Sequence, residues 1–438
     1  MAIRNQFGYY PSNFDLMEFC AKNKLPINKV VKVLNLFIRK PLSQADKRSI
    51  KLNSEILKNS VGDIYKRIID CLIVNGVIEN TAGYEIGVKS REYQLTDEYY
   101  FSDEVKKHIL EDKPINQVLD YRNKERMFTQ YVEDLNKPKV KRTVRPPIQI
   151  FEERYKNLII WFRDGKITID SAKAFSLIRQ QNIKEIQPHK YLSYLATIDI
   201  FKENDYHLKS DLNHRLYSSL TNLPKFLRGC LMYNGEELVG VDVSNTQPLL
   251  LSLICEFDYL EELYLSQNID VSPKKLVKFL RHLKTNPADL DKFKRLVQKG
   301  IFYESFMDIG PTFSRDVVKE NIVKIINDKG LNRTKEKKII RETLKARFPT
   351  ISMLLDVLKS IDHRYASWTL MTKEAEMFLF HFIDTFYQNP AHKLIPIFTI
   401  HDCFITTCSN VNLLEIEIKK FFQENYEINI PLKREIYV

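Results

Sequence analysis

The chain has 438 residues, 28% of them charged, with a formal net charge of +11 and an isoelectric point near 9.1. That length exceeds a usual single domain and allows two or three cores. The excess of cations favours a polyanionic partner, nucleic acid or an acidic membrane surface, over a neutral small substrate. Six scattered cysteines without a C-x-x-C pair read as reduced thiols and argue against a zinc finger. The chain carries neither G-x-x-x-x-G-K-[ST] nor G-x-G-x-x-G, which excludes a Walker-type motor and a dinucleotide site. No apolar run has the length of a bilayer span, and the opening MAIRNQFGYYPSNFD has no signal-peptide core, so a cytoplasmic protein without a membrane partner is expected.

In the first hundred residues Ile64, Ile68 and Leu72, with Ile69 and Ile73, form an apolar stripe at helical spacing that stops at Asn75-Gly76. The next stretch, TAGYEIGVKSREYQL, alternates around Gly83 and a basic tip and predicts a β-hairpin. Helices followed by a hairpin with a basic tip resemble a winged-helix domain, spanning residues 1–100. The resemblance implies DNA binding, with Lys66, Arg67, Lys89 and Arg91 where backbone phosphates would be met, although such domains also serve as protein-contact modules. Residues 101–148, with the run NKPKVKRTVRPP, read as a charged linker. From IQIFEERYKNLIIWF onward the pattern is helical through residue 205 and then mixes helix and strand, without an internal repeat. The expected fold class is α+β, mainly helical.

Two aspartates stand out in apolar strands. Asp242 lies in the β-rich run Leu238 to Val243 and is followed at once by an apolar helical run. Burying a carboxylate there is costly unless it is paired or binds a cation, and Ser244 and Asn245 stand closer to the helix start as caps. The second, Asp402, follows His401 in the middle of PIFTIHDCFITT, where a turn between two strands is the plainer reading. Two strands that each carry one buried aspartate are what a two-metal phosphoryl-transfer site requires.

VDVSNTQPLLLSLI resembles motif A of family A DNA polymerases, and IHDCF resembles their motif C; both motifs also occur in phage-type single-subunit RNA polymerases. Between them SRDVVKENIVKIIND has Arg315 and Lys319 at the R-x-x-x-K spacing of motif B, one helical turn apart. Where that motif continues to an aromatic and then Tyr-Gly, this chain has Val323 and then Asn327-Asp328. Upstream, HRLYSSLTNLPKFLRG resembles the segment that places an arginine near the primer–template minor groove. Downstream, ARFPTISMLLD and LMTKEAEMFLFHFIDTF resemble the turn and long helix before motif C. These segments in the family's order, over residues 206–438, make the resemblance specific.

The resemblance implies a polymerase right hand: a palm with an antiparallel sheet, helical fingers, and a small helical thumb at residues 149–205. It implies that Asp242 and Asp402, with the Val243 carbonyl, hold two Mg²⁺ ions, with Mn²⁺ as a substitute. Arg315 and Lys319 would bind the triphosphate, Lys319 assisting pyrophosphate departure, with Val323 and Asn327 beside the nucleotide. Arg215, Arg228 and His401 would contact nucleic acid. Gln247 stands where family A DNA polymerases carry the glutamate that crowds the ribose 2′-OH, which tilts the expectation toward deoxynucleotides. The expected activity is that of a phage or mobile-element DNA polymerase acting on template-primer and nucleoside triphosphates, without a proofreading exonuclease. A single-subunit RNA polymerase or primase-like enzyme, and a DNA-binding initiator or defence protein on a polymerase fold, are the alternatives.

Overall fold

Helix formation at the N-terminus follows the apolar periodicity. Asp15 caps helix Leu16–Asn23 by accepting from the Glu18 N–H at 2.9 Å, and helix Ile27–Arg39 buries Val30, Val31, Leu34, Phe37 and Ile38 along one face. The computed structural model describes residues 6–39, 48–82, 91–110, 148–206, 208–211, 213–255, 272–285, 287–328, 334–360 and 362–437. Strands β1 (Gln6–Pro11), β2 (Ile50–Lys51), β3 (Ile78–Ala82), β4 (Glu92–Leu95) and β5 (Val105–Leu110) belong to the N-terminal part. Helices Ser54–Val61 and Tyr65–Val74 stand between β2 and β3. The second ends at Asn75, with Gly76 in the left-handed conformation that glycine adopts without a Cβ penalty. Strands β2, β4 and β3 form an antiparallel sheet in that order. The tip of its hairpin, with Lys89, lies outside the described residues.

The N-terminal unit does not stop at residue 100. Strand β5 pairs with β1 from Gln6↔Leu110 to Pro11↔Val105, so residues expected in the linker form a ladder with the start of the chain. The remainder of that linker, 111–147, lies outside the described residues. This unit is also tied to the body. Tyr9 is fully buried and donates its hydroxyl to Asp199 Oδ2 at 3.2 Å, on helix Pro188–Lys202. Lys107 pairs with Asp199 on that helix and with Glu203 just past its end, and the Ser193 hydroxyl donates to the Ile38 carbonyl. Phe7, Val31 and Ile68 share one buried cluster with Ile198, Leu227, Phe398 and Ile405.

Strands β6 (Ile167–Ile169), β7 (Leu208–Ser210), β8 (Leu216–Ser218), β9 (Leu231–Tyr233), β10 (Glu236–Val243), β11 (Phe398–Ile400), β12 (Cys403–Thr407) and β13 (Leu432–Ile436) follow. Six of them make one antiparallel sheet, ordered β11-β12-β10-β9-β6, with β13 also pairing β10; β7 and β8 pair with each other. Residues 149–205 are therefore not purely helical. Ile167 and Ile169 alternate around Thr168 behind the turn at Gly165 (φ 73°), and this short strand finds a ladder in β9. Alternation along β10 sends Val239, Val241 and Val243 into a helical core with Leu249, Phe302, Val318, Phe348, Phe378 and Ile418. Leu238, Gly240 and Asp242 point to the opposite face, where Cys403 and Ile405 join the cluster that includes the N-terminal unit. Each large apolar side chain buried in either layer contributes about 1.5–3 kcal/mol relative to exposure.

Candidate active site

Asp242 is the penultimate residue of β10, and its ladder partners are Cys403 in β12 and Lys433 in β13. Asp402 occupies the two-residue turn between β11 and β12, one position before Cys403. The Val243 N–H donates to the Asp402 carbonyl at 3.2 Å, so the aspartates of two distant segments meet at one end of the sheet. His401, the first turn residue, has φ 56°, the left-handed conformation that a two-residue hairpin usually assigns to glycine. Gly240 answers a close approach: a Cβ at that position would lie 2.4 Å from the Tyr437 hydroxyl and 3.0 Å from Cys403 Sγ.

Burial, the neighbouring Asp402 and then Glu435 push the Asp242 carboxyl up to about 7, against the opposing charges of Lys319 and Lys225. Two carboxylates so placed repel each other until a cation separates them. Among the described residues no group of three or more His, Cys, Asp and Glu forms a cage for a metal. Mg²⁺ takes one or two carboxylates and completes its shell with water and substrate oxygens. The Val243 carbonyl accepts from Thr246 Oγ1 at 2.6 Å and keeps one lone pair.

Helix Arg315–Asn327 carries the cations, Ser314 capping its first turn. Lys319 is exposed and close enough to oppose the charge of Asp242. Arg315, one turn earlier, gives its Nε–H to Glu304 at 2.7 Å and stands 5.8 Å from the ring of buried Tyr303. Burial raises the Tyr303 phenol; Arg315 opposes the rise and Asp402 adds to it. Val323 is half-buried, and Asn327 donates to the Val323 carbonyl at 2.9 Å within their own helix. At the start of helix Thr246–Ile254, Gln247 keeps a buried Oε1 without a partner, as does the side chain of buried Asn245 (φ 59°) at both polar atoms.

The expected nucleic-acid residues divide. Arg215 does not face solvent: its guanidinium pairs with Glu374 at 2.7 Å, the two side chains 14% and 5% exposed. Burial lifts the Glu374 carboxyl to about 7, Arg215 opposing and Asp402 adding to the rise. The Asp211 carboxylate accepts from the N–H groups of Asn213 and Arg215 and from the Tyr217 hydroxyl at 3.0 Å. His401 packs edge-on against the Tyr217 ring at 5.7 Å; burial and Arg215 lower its pKa, with Asp402 opposing. Arg228 donates to the Leu223 carbonyl and lies 4.0 Å from Glu435, which Lys225 meets at 2.7 Å. At the N-terminus Lys66, Arg67 and Arg91 are exposed, Arg67 donating to the Asn23 carbonyl at 2.8 Å.

Glu374, Glu435 and Tyr303 join this neighbourhood without having been singled out from sequence, and Asn245, expected only as a helix cap, makes no side-chain cap hydrogen bond. None of them carries a clear signal in the chain: Glu374 shares the run LMTKEAEMFLFHFIDTF with Lys373, Glu376 and Asp384. Among the described residues no helix is long and apolar enough to cross a membrane.

No family model matches the chain, and no curated protein does. Among solved structures it matches the POL domain of Pol1 from M. smegmatis in complex with DNA primer-template and dNTP, at 12% identity over 97% of this chain and 78% of that chain, with a TM-score of 0.28.

Proposed function

We propose that the chain is a template-directed nucleotidyltransferase, a DNA polymerase of the family A type. The observation that carries this reading is the meeting of Asp242 and Asp402 at one sheet end, with the Asp242 carboxyl lifted to about 7 beside a lysine-bearing helix. Mg²⁺ bound there supplies Lewis-acid activation of the primer 3′-hydroxyl and neutralises charge on the departing pyrophosphate. Asp242 and Asp402 hold the ions, and Lys319 with Arg315 binds the triphosphate oxygens once Arg315 leaves Glu304. His401 donates to the primer-terminal phosphate, and Gln247 lies against the sugar. The central sheet is the palm in this reading, helix Arg315–Asn327 belongs to the fingers, and the helices before β7 serve as a small thumb. The order helix, strand, two helices, then a hairpin, with sheet order β2-β4-β3, supports a DNA-binding winged helix in front.

Primer extension on a DNA template with Mg²⁺, run with dNTPs and NTPs in parallel and with and without primer, tests the reading. Extension from primer with dNTPs is expected, and Gln247→Gly should admit NTPs more readily. Chain initiation on NTPs without primer would transfer the site to RNA or primer synthesis. Template binding with no nucleotide addition under any condition would reduce the protein to a DNA-binding factor.

A further inference from the structure

Residues 272–300 carry nine Lys and Arg against Asp289 and Asp291, a net of +7 in a chain whose total is +11. Helix Pro273–Leu283 concentrates this charge. It buries Leu276, Phe279 and Leu283 in the helical core, packed on helix Pro349–Leu358, and turns Lys274, Lys278 and Arg281 outward in one row, with Lys275 exposed beside them. The helix holds no Asp or Glu, and among the described residues none of these four cations has an ion-pair partner. Lys274 and Lys275 stand in the first turn, where the helix dipole disfavours cations, and Lys278 lies one turn from both Lys274 and Arg281. The fold gains nothing from such a row, whose mutual repulsion an anion would relieve. The next helix, Ala288–Gln298, adds exposed Lys292 and Arg295, while Asp289 is turned inward to the Thr350 hydroxyl at 2.8 Å.

We propose that the exposed face of helix Pro273–Leu283 is a second nucleic-acid site, which holds the sugar–phosphate backbone of single-stranded DNA. It lies on none of the elements that carry Asp242, Asp402 and Lys319, and it does not need nucleotide addition in order to work. One row of cations along about 10 Å of helix follows one backbone, whereas a duplex presents two. No aromatic side chain is exposed on this helix for bases to stack on, so charge carries the binding and sequence does not matter. A membrane is the poorer partner. An amphipathic helix docks on lipid through its apolar side, and here that side is already in the core, leaving only Val277 exposed among the cations.

The test is fluorescence anisotropy of a labelled oligothymidylate titrated with the full chain over a series of salt concentrations, without nucleotides. The parent is compared with Lys274→Gln/Lys278→Gln/Arg281→Gln and with a charge-matched control, Lys393→Gln/Lys419→Gln/Lys420→Gln, whose lysines are exposed on other elements. The site variant is expected to lose about ten-fold or more in affinity, and its slope of log K against log salt should flatten by about 2, roughly 0.7 for each phosphate contact. The control should keep the parent's slope. The site variant should melt no lower than the parent, since only mutually repelling charges leave an exposed face. Should it melt lower, Arg281→Gln alone is read, with an expected change in slope of about 0.7. Equal losses in the site variant and the control, a parent-like slope in the site variant, or a parent that binds no oligonucleotide would overturn the inference. So would a site variant that loses binding to phosphatidylserine vesicles and holds the oligonucleotide as the parent does, which assigns the face to a membrane. A parent that binds the strand through this face and never extends a primer refutes the polymerase reading alone. One that extends a primer, while the site variant binds the strand like the parent, refutes this inference alone.

Discussion

Cys403 lies directly opposite Asp242 across the β10–β12 ladder, and that pairing puts Asp402 at the strand end where Val243 can bond to its carbonyl. A slip of one residue would turn Asp242 into the helical core, so the register of this pair is a condition for the site. Asp242→Asn and Asp402→Asn should each abolish nucleotide addition, a loss of at least about a thousand-fold, since an amide cannot neutralise the ions that stabilise the transition state. Neither should lower the melting temperature of the metal-free protein, because each removes one of two repelling charges. Near-parent extension by either variant would sink the two-metal assignment.

The raised Asp242 carboxyl gives that stability effect a pH dependence. A folded carboxyl that holds its proton more tightly than the unfolded chain contributes stability at pH values below the ordinary aspartate pKa. That contribution is lost as pH rises toward about 7. His214, held near 4 by burial, and His401, also lowered by burial, act in the opposite sense and lose stability as pH falls below the ordinary histidine range. The informative quantity is therefore the difference between parent and Asp242→Asn. The variant should melt a few degrees above the parent at pH 8, the shift of about 1–2 kcal/mol in a chain of this size, and level with it at pH 4. A constant gap across that range would show that the Asp242 charge is not the cause.

His401 makes a different trade. Its left-handed backbone sits where glycine is at ease, so His401→Gly should keep or raise hairpin stability, by up to about 1 kcal/mol. The same change removes the imidazole that packs on Tyr217 and should slow primer extension by about ten-fold to a hundred-fold. Thermal melting and single-turnover extension on one preparation separate the two effects. A destabilised variant would mean that the turn is not strained.

The contacts of the N-terminal unit tie it to the rest of the chain. Removing residues 1–110 would uncover helix Pro188–Lys202, including Ile198, and leave Asp199 without Tyr9 and Lys107. The truncated chain should aggregate or melt much earlier than the parent. Tyr9→Phe alone should cost about 1–2 kcal/mol through the lost hydrogen bond to a charged group. A soluble truncation with full extension activity would restore the picture of two independent modules.

What could be read from the sequence was local. The strand ending at Val243, the His401-Asp402 corner and the helix that stops at Asn75-Gly76 all appear where periodicity and turn chemistry put them, because each depends on neighbours in the chain. The β1–β5 ladder and the short strand at Ile167–Ile169 escaped notice because their partners lie far away in the chain. Arg215 shows the same limit at the site. Its position in the chain gave no hint that Glu374, in a distant helix, would take its charge.

Because β12 reaches β10 only across the long helical segment between them, the corner that brings Asp402 to Asp242 closes a large loop during folding. The β11–β12 hairpin is local and can form within microseconds, but its docking must wait for the intervening helices to collapse. The sheet end that holds Asp242 and Asp402 should then be among the last parts of the chain to become ordered. Unfolding intermediates should lose the aspartate pair while the helical core around Phe302, Phe348 and Phe378 is still protected from hydrogen exchange.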